Sequence, residues 1–198
     1  MATKPLNIAS STHLLIDVDD TLYSPEIPVW PRIEARIYDY MHKRVGLDPK
    51  IIPALRNRLF NTYGTTLRGL QIEYCVDFND YLLYVHDVDL SDLLLPDPVL
   101  QQVLADLPQE KWLFTNASRL HAQHCMESLG VSPYFAGIIG VEDTQPWCKP
   151  HPEAFHAALA LCGSPLPEQT VFFDDRSDNL DTAAQLGMGT VLVTPENQ

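Results

Sequence analysis

Residues 13–18 (HLLIDV) form a short, almost wholly apolar run that ends in acids, the pattern of a buried strand whose last residues reach a rim. After Tyr23 the prolines Pro25, Pro28 and Pro31 take the chain out of regular structure, since each removes a backbone donor and restricts the residue before it. Over residues 29–45 Ile33, Ile37, Tyr40, Met41 and Val45 recur at helical spacing, and Gly46 follows as a C-cap. Ile52, Leu55 and Leu59 predict a second helix that gives way at Tyr63 and Gly64, and Leu70, Tyr74, Phe78, Tyr81, Leu82 and Val85 predict further helical segments. Tyr74, Phe78 and Tyr81 read as core of this module rather than as a stacking platform for a base.

Beyond Pro96 and Pro98 the pattern alternates. Helices are expected at 99–106, 118–129, 152–161 and 177–186, and strands at 111–115, 137–141, 170–173 and 190–193. The fold class is therefore α/β, a Rossmann-like parallel sheet with helices on its faces and a small helical insertion. Residues 1–23 and 96–198 make the core, and 24–95 make the inserted module. In such a sheet functional groups sit at the strand C-termini.

Composition sharpens this reading. A length of 198 residues suits one core domain with a modest insertion. Thirteen basic against twenty-six acidic residues give a net charge of −13, which repels long nucleic acid and anionic membranes, so neither is an expected partner. An anionic ligand would need a metal ion and a few placed cations to reverse the local field. The four cysteines show no CxxC pairing and the first residues lack the apolar stretch of a secretory signal, so a reducing cytoplasm is expected. No apolar run approaches the length of a membrane span.

Four clusters fall at or just after predicted strand ends: Asp17, Asp19 and Thr21 in IDVDDTLY, Thr115 and Asn116 in FTNAS, Lys149 in CKPHPE, and Asp174 with Asp175 in FFDDRSDN. Asp17 and Asp19 are two apart, so on an extended strand both leave from one face. Phosphate monoester hydrolysis needs accelerations of up to ~10²¹-fold, against about 10²–10⁴ from a placed acid or base, so covalent catalysis and charge neutralisation are both required. One carboxylate can attack phosphorus while the other, kept protonated near the leaving oxygen, gives a proton and later takes one from water. A hard divalent cation would relieve the repulsion between carboxylates and phosphate, with Asp174 and Asp175 among its ligands. Lys149 then serves as a point charge on the phosphoryl group, the Thr115 hydroxyl binds its equatorial oxygens, and Thr21 and Asn116 join as substrate contacts. Bland readings stand beside each. Asp19 and Asp20 could cap a helix, Asn116 could start one, and Lys149 could be an exposed loop residue. His121, His124 and Cys125 share a helix at spacings that can bind zinc, but they fit surface and packing better.

Taken in order, the four clusters resemble the motifs of the haloacid dehalogenase-like (HAD) hydrolases, over residues 14–193. The resemblance makes Asp17 the nucleophile, Asp19 the general acid and base, Thr115 the phosphate-binding hydroxyl and Lys149 the motif lysine. It makes Asp17, the Asp19 carbonyl and Asp175 the magnesium ligands, with Asp174 as a second or water-mediated one. The insertion resembles the C1-type cap that closes over small substrates. Within it YGTTLRGL and YVHDV resemble the pyrimidine 5′-nucleotidase-like branch, which makes Arg68 the cap's substrate contact, against the plainer reading of a solvated or salt-bridged helix residue. The first motif reads DVDD where that branch often has DVDN, and Asn179 stands where an acid ends the fourth.

The expected function is a magnesium-dependent phosphomonoester hydrolase acting on a small phosphorylated metabolite, with a nucleoside monophosphate foremost. A phosphotransferase or mutase could use the same phosphoaspartate, and a non-catalytic ligand-binding module could keep the fold. Dehalogenation would not call for the lysine, the acid pair or a proton donor at Asp19.

Overall fold

The computed structural model describes residues 8–196, so the first seven and last two positions of the expected core lie outside the described residues. The chain runs through β1 (His13–Ile16), then helices α1 (Val29–Lys43), α2 (Ile52–Tyr63), α3 (Thr66–Tyr74) and α4 (Phe78–Val85). It then alternates through α5 (Pro98–Asp106), β2 (Glu110–Phe114), α6 (Arg119–Leu129), β3 (Gly137–Ile139), α7 (Val141–Thr144), α8 (Pro152–Leu161), β4 (Thr170–Asp174), α9 (Ser177–Gln185) and β5 (Gly189–Leu192). All strand pairs are parallel, in the order β3-β2-β1-β4-β5.

Strand alternation sorts the core into two layers. Leu14, Ile16, Leu113 and Val171 point to one face, where they join Leu104 of α5 and Ala122, Cys125 and Leu129 of α6. Leu15, Phe114 and Phe172 point to the other, against Ala154, Phe155 and Ala158 of α8 and Leu180 and Ala183 of α9. Each such Leu, Ile, Val or Phe side chain taken fully from water contributes about 1.5–3 kcal/mol before chain entropy is counted, and burial on both faces forces the nearly continuous apolar strands seen in the sequence.

The insertion folds as predicted, from helical periodicity. Val29, Ile33, Ile37, Tyr40 and Met41 form the buried stripe of α1, and Tyr81 of α4 meets Tyr40 edge-on with ring centroids 5.0 Å apart. Tyr81 is core, whereas Tyr74 is exposed. Gly64 ends α2 with φ +87°, a left-handed turn that an L side chain rarely adopts, and Gly69 lets α3 approach α2, since a side chain there would come within 2.7 Å of Leu59 Cβ. The buried residues of these helices run without a break into the first core layer, so the cap packs on the strand-end edge of the sheet.

Two expected strands are shorter than the sequence indicates. β3 stops at Ile139, because the Gly140 N–H donates to the Asp143 carboxylate and starts α7. β1 stops at Ile16, because Val18 O accepts from the Thr21 and Leu22 N–H groups in a tight turn that places Asp20 at φ +58°.

Candidate active site

Parallel register brings the first acids together. Ile16 pairs with Leu113 on one side and with Phe173 on the other, and the Asp17 N–H continues the ladder to Phe173 O at 2.9 Å. Asp17 and Asp174 therefore leave neighbouring strand ends side by side. Thr115, one residue past β2, is fixed by its N–H to Ile139 O at 3.0 Å. Its Oγ1 accepts from the Ala117 N–H at 2.9 Å, which leaves its own O–H to donate.

Lys149, on the loop between α7 and α8, is fully buried and reaches back to this rim. Its Nζ lies 2.9 Å from Asp17 Oδ1 and donates to Asp174 Oδ2 at 2.7 Å and to Phe114 O at 2.9 Å. The Phe114 and Phe172 rings lie beneath it at 5.2 and 5.1 Å. A buried ammonium unpaired in such surroundings would be very costly, so its partners account for its burial. Burial would lower its pKa, but the Asp17 and Asp174 charges overcome this and raise it.

Asn116 lines the cavity, yet both ends of its amide are engaged with the lysine backbone: Nδ2 donates to Lys149 O at 2.9 Å, and Oδ1 accepts from Lys149 N at 2.8 Å. The expected substrate contact is thus occupied in bracing the lysine loop. Asn179 also finds its place. Its Nδ2 donates to both oxygens of Asp174 at 2.9 and 3.0 Å, while the Arg176 N–H donates to Oδ1 at 2.9 Å. An acid at position 179 could not donate, so the departure from the motif supplies the donor that orients Asp174.

Asp17, Asp174 and Asp175 each offer a carboxylate oxygen, all within 4.8 Å of one another. Burial, opposed by the Lys149 ammonium and reinforced by the Asp174 charge, holds the Asp17 carboxyl well above the usual carboxylate range. Burial and the charges of Asp174 and Asp20 push Asp175 up to about 6. One ammonium against three carboxylates leaves a local deficit of positive charge, in a set of hard oxygen donors that suits a divalent cation such as magnesium. Asp174 is fully buried and saturated with donors, whereas Asp175 faces the cavity.

Asp19 sits in a different environment. It lies in the turn beyond β1, accepts a very short hydrogen bond from the Tyr23 hydroxyl, and pairs with His121 Nε2 of α6 at 2.7 Å. Burial would raise its pKa, but the His121 charge and the bonds from His121 and Tyr23 prevail and bring it down to about 2. Burial likewise opposes the His121 charge, and the Asp19 carboxylate overrides it to hold the imidazolium well above the ordinary histidine value. From the cap, His86 at the end of α4 stacks on His121 with ring centroids 5.0 Å apart. Burial and the neighbouring imidazolium push His86 down to about 3, so this ring is neutral. The zinc trio weighed from the sequence is split: His121 and Cys125 are buried together, while His124 points to solvent.

Core rim and cap enclose a cavity of about 340 Å³, at the small end of ligand pockets. The core contributes Asp17, Asp19, Thr115, Lys149 and Asp175. The cap contributes an apolar wall that includes Ile33, Ile37, Leu82 and Val85, together with Thr65, Thr66, His86 and Arg56. Thr65 N-caps α3 by accepting from the Arg68 N–H at 3.1 Å, and Gly64 abuts Cys148, so YGTTLRGL is the seam between the cap and the lysine loop. Arg68 itself turns away from this cavity and stacks on Trp147 at 4.7 Å. Thr21 is buried and does not line the cavity. Sequence reading passed over Arg56, His86 and the acid-pairing role of His121. Only the histidine in YVHDV gave a signal, because the His121 to Asp19 contact spans 102 positions.

Known proteins agree with this architecture. The haloacid dehalogenase-like hydrolase family model matches residues 12–187. Phosphate metabolism protein 8 of Saccharomyces cerevisiae is 29% identical over 192 residues, covering 89% of this chain, which spans only 59% of that relative's length. A Bacillus subtilis HAD-type protein bound to magnesium superposes with a TM-score of 0.59 at 17% identity, over 95% of this chain and 89% of the other. A predicted phosphoglycolate phosphatase from Haemophilus somnus gives a TM-score of 0.60 at 17% identity, over 94% and 86% of the two chains. With the four motif clusters gathered on one strand-end rim and the family matched over most of its length, this chain belongs to the haloacid dehalogenase-like hydrolases.

Proposed function

We propose that this hydrolase is a magnesium-dependent phosphomonoesterase working through an aspartyl phosphate on Asp17, on a small phosphorylated metabolite and foremost a nucleoside monophosphate. The observation that carries the reading is the buried Lys149 ammonium shared between Asp17 and Asp174 at the floor of the cavity, with Asp175 beside them. Asp17 and Asp175 would hold the ion, with Asp174 and the Asp19 carbonyl completing its surroundings. When bound, magnesium supplies charge neutralisation between carboxylate and phosphate oxygens.

The chain's own groups then divide the work. A carboxylate oxygen of Asp17 attacks phosphorus as the bond to the leaving oxygen breaks. Lys149 and the Thr115 O–H stabilise the charge spread over the equatorial oxygens. The leaving oxygen takes its proton from the Asp19–His121 pair, where it starts on His121 Nε2 and passes by way of the Asp19 carboxylate. In the second step Asp19, again a carboxylate, takes a proton from the water that attacks the phosphoaspartate, and phosphate and free Asp17 result.

A nucleoside monophosphate is supported by the resemblance of YGTTLRGL and YVHDV and by a cavity sized for one small ligand. No helix among the described residues is long and apolar enough to cross a membrane, and all four cysteines are free, which supports a reducing cytoplasm as the working compartment. The test is hydrolysis of an aryl phosphate with and without magnesium. Turnover that requires the metal is expected, and no turnover with any divalent ion would contradict the proposal.

A further inference from the structure

Arg56, on the inward face of α2, is an unusual lining group. Its side chain is only 12% exposed, and its guanidinium lies between the rings of Trp30 at 5.0 Å and Phe60 at 5.3 Å. Two aromatic faces fix the plane of the cation without using its N–H groups. Those groups are poorly served. Nη1 donates to Oδ1 of the neighbouring Asn57 at 3.0 Å and pairs with Glu34 Oε1 at 4.0 Å, and Nε is buried with no hydrogen-bond partner. A guanidinium carries five donors; the sealed Nε cannot reach a ligand, so the donors left for one are those of Nη2, which makes no hydrogen bond to the described residues.

The other lysine and arginine side chains lining the cavity are satisfied. Lys149 is shared between two carboxylates, and Arg176 makes two hydrogen bonds to Asp178 at 3.1 and 2.6 Å. The acids that line the cavity, Asp17, Asp19, Asp20 and Asp175, all belong to the core, so the cap wall offers donors and apolar surface but no carboxylate. A phosphoryl group seated on the core rim would direct the rest of its ester toward that wall.

We infer that Arg56 is a specificity-determining residue that binds an sp² oxygen, a carbonyl or a carboxylate, on the organic part of the substrate. The preferred substrates are phosphomonoesters with a largely apolar or flat body bearing such an acceptor. Esters without one leave the Nη2 donors without an acceptor. This inference rests on the phosphomonoesterase reading and adds to it the chemistry of the leaving group. A purely structural role, bracing α2 to Trp30, would affect all substrates alike.

The experiment compares kcat/KM for wild type and Arg56→Met, with magnesium, on two matched pairs: uridine monophosphate with ribose phosphate, and para-carboxyphenyl phosphate with phenyl phosphate. In at least one pair the acceptor-bearing member should lose about tenfold or more beyond its bare partner, the scale of a hydrogen bond to a charged group. The pair that responds identifies carbonyl or carboxylate. Arg56→Lys keeps the cation without the fork and should show a smaller differential loss, and it carries the comparison if the methionine variant does not fold. Parallel losses within both pairs would overturn the inference, as would a wild type that hydrolyses only the bare esters. A wild type that hydrolyses none of the four would instead fail the phosphomonoesterase reading, and Arg56's role with it.

Discussion

On the strand-end rim Lys149 has three oxygen partners and Asp174 is held by Lys149, Asn179 and the Arg176 N–H, whereas on the facing cap wall the Arg56 guanidinium has one hydrogen bond, a 4.0 Å ion pair with Glu34 and two aromatic faces. The rim is cross-bonded to the point where each charged group fixes its neighbour, as chemistry common to every substrate requires. The cap wall is mostly apolar and leaves a strong donor open, as expected of a surface that selects among leaving groups. Between them lies the His86–His121 stack, where a neutral cap ring covers the imidazolium paired with Asp19.

The contrast breaks most severely at Asp17. Asp17→Asn is nearly isosteric and removes the attacking charge, so turnover should fall by about 10⁴-fold or more with folding retained, measured by steady-state assay beside a thermal melt. Near-wild-type turnover would contradict the assignment. Lys149→Met comes next. It should lower kcat by about 10²–10³-fold and destabilise the fold by about 3–5 kcal/mol at neutral pH, because Asp17 and Asp174 remain buried without their cation. Urea melts would expose the error if the stability were unchanged.

At the seam, His121→Gln removes the imidazolium from which the leaving oxygen's proton starts, so the alkaline limb of the kcat/KM profile should move to lower pH, with kcat down by roughly 10²-fold. A profile superimposable on wild type would mean that His121 only packs. The smallest effect concerns metal and pH. The folded-state pKa of Asp175 is raised to about 6 from 3.8, so the metal-free protein loses stability as pH rises through that window. Below it the carboxyl is protonated in both states and no penalty applies. Magnesium needs the ionised form, so its gain in Tm should be larger at about pH 7.5 than at about pH 5. An equal gain at both would remove Asp175 from the ligand set.

The rim was legible in the sequence because its order follows from period and topology alone. Apolar runs that stop at acids predict strands ending at a common edge, and the register of β1 between β2 and β4 does the rest. The cap wall was not legible, because which side chain faces the cavity depends on helix phase. Arg68 belongs to the segment that resembles known cap sequences, yet Thr66 and Leu67 face the cavity, and Arg68, about 100° further round α3, meets Trp147. Arg56 carries no motif, and its orientation depends on its packing against Trp30 and Phe60. Asp19 shows the same limit, for its residue type was evident while the partners that set its charge lie four positions away at Tyr23 and on α6.

The central claim is that Asp17 becomes phosphorylated. Enzyme quenched with acid during turnover of an aryl phosphate in magnesium, reduced with borohydride and mapped by mass spectrometry, should carry homoserine at position 17, and Asp19→Asn should increase its yield. Hydrolysis that proceeds with the mark on Asp19, Asp174 or Asp175, or with no mark on any aspartate, would contradict the account.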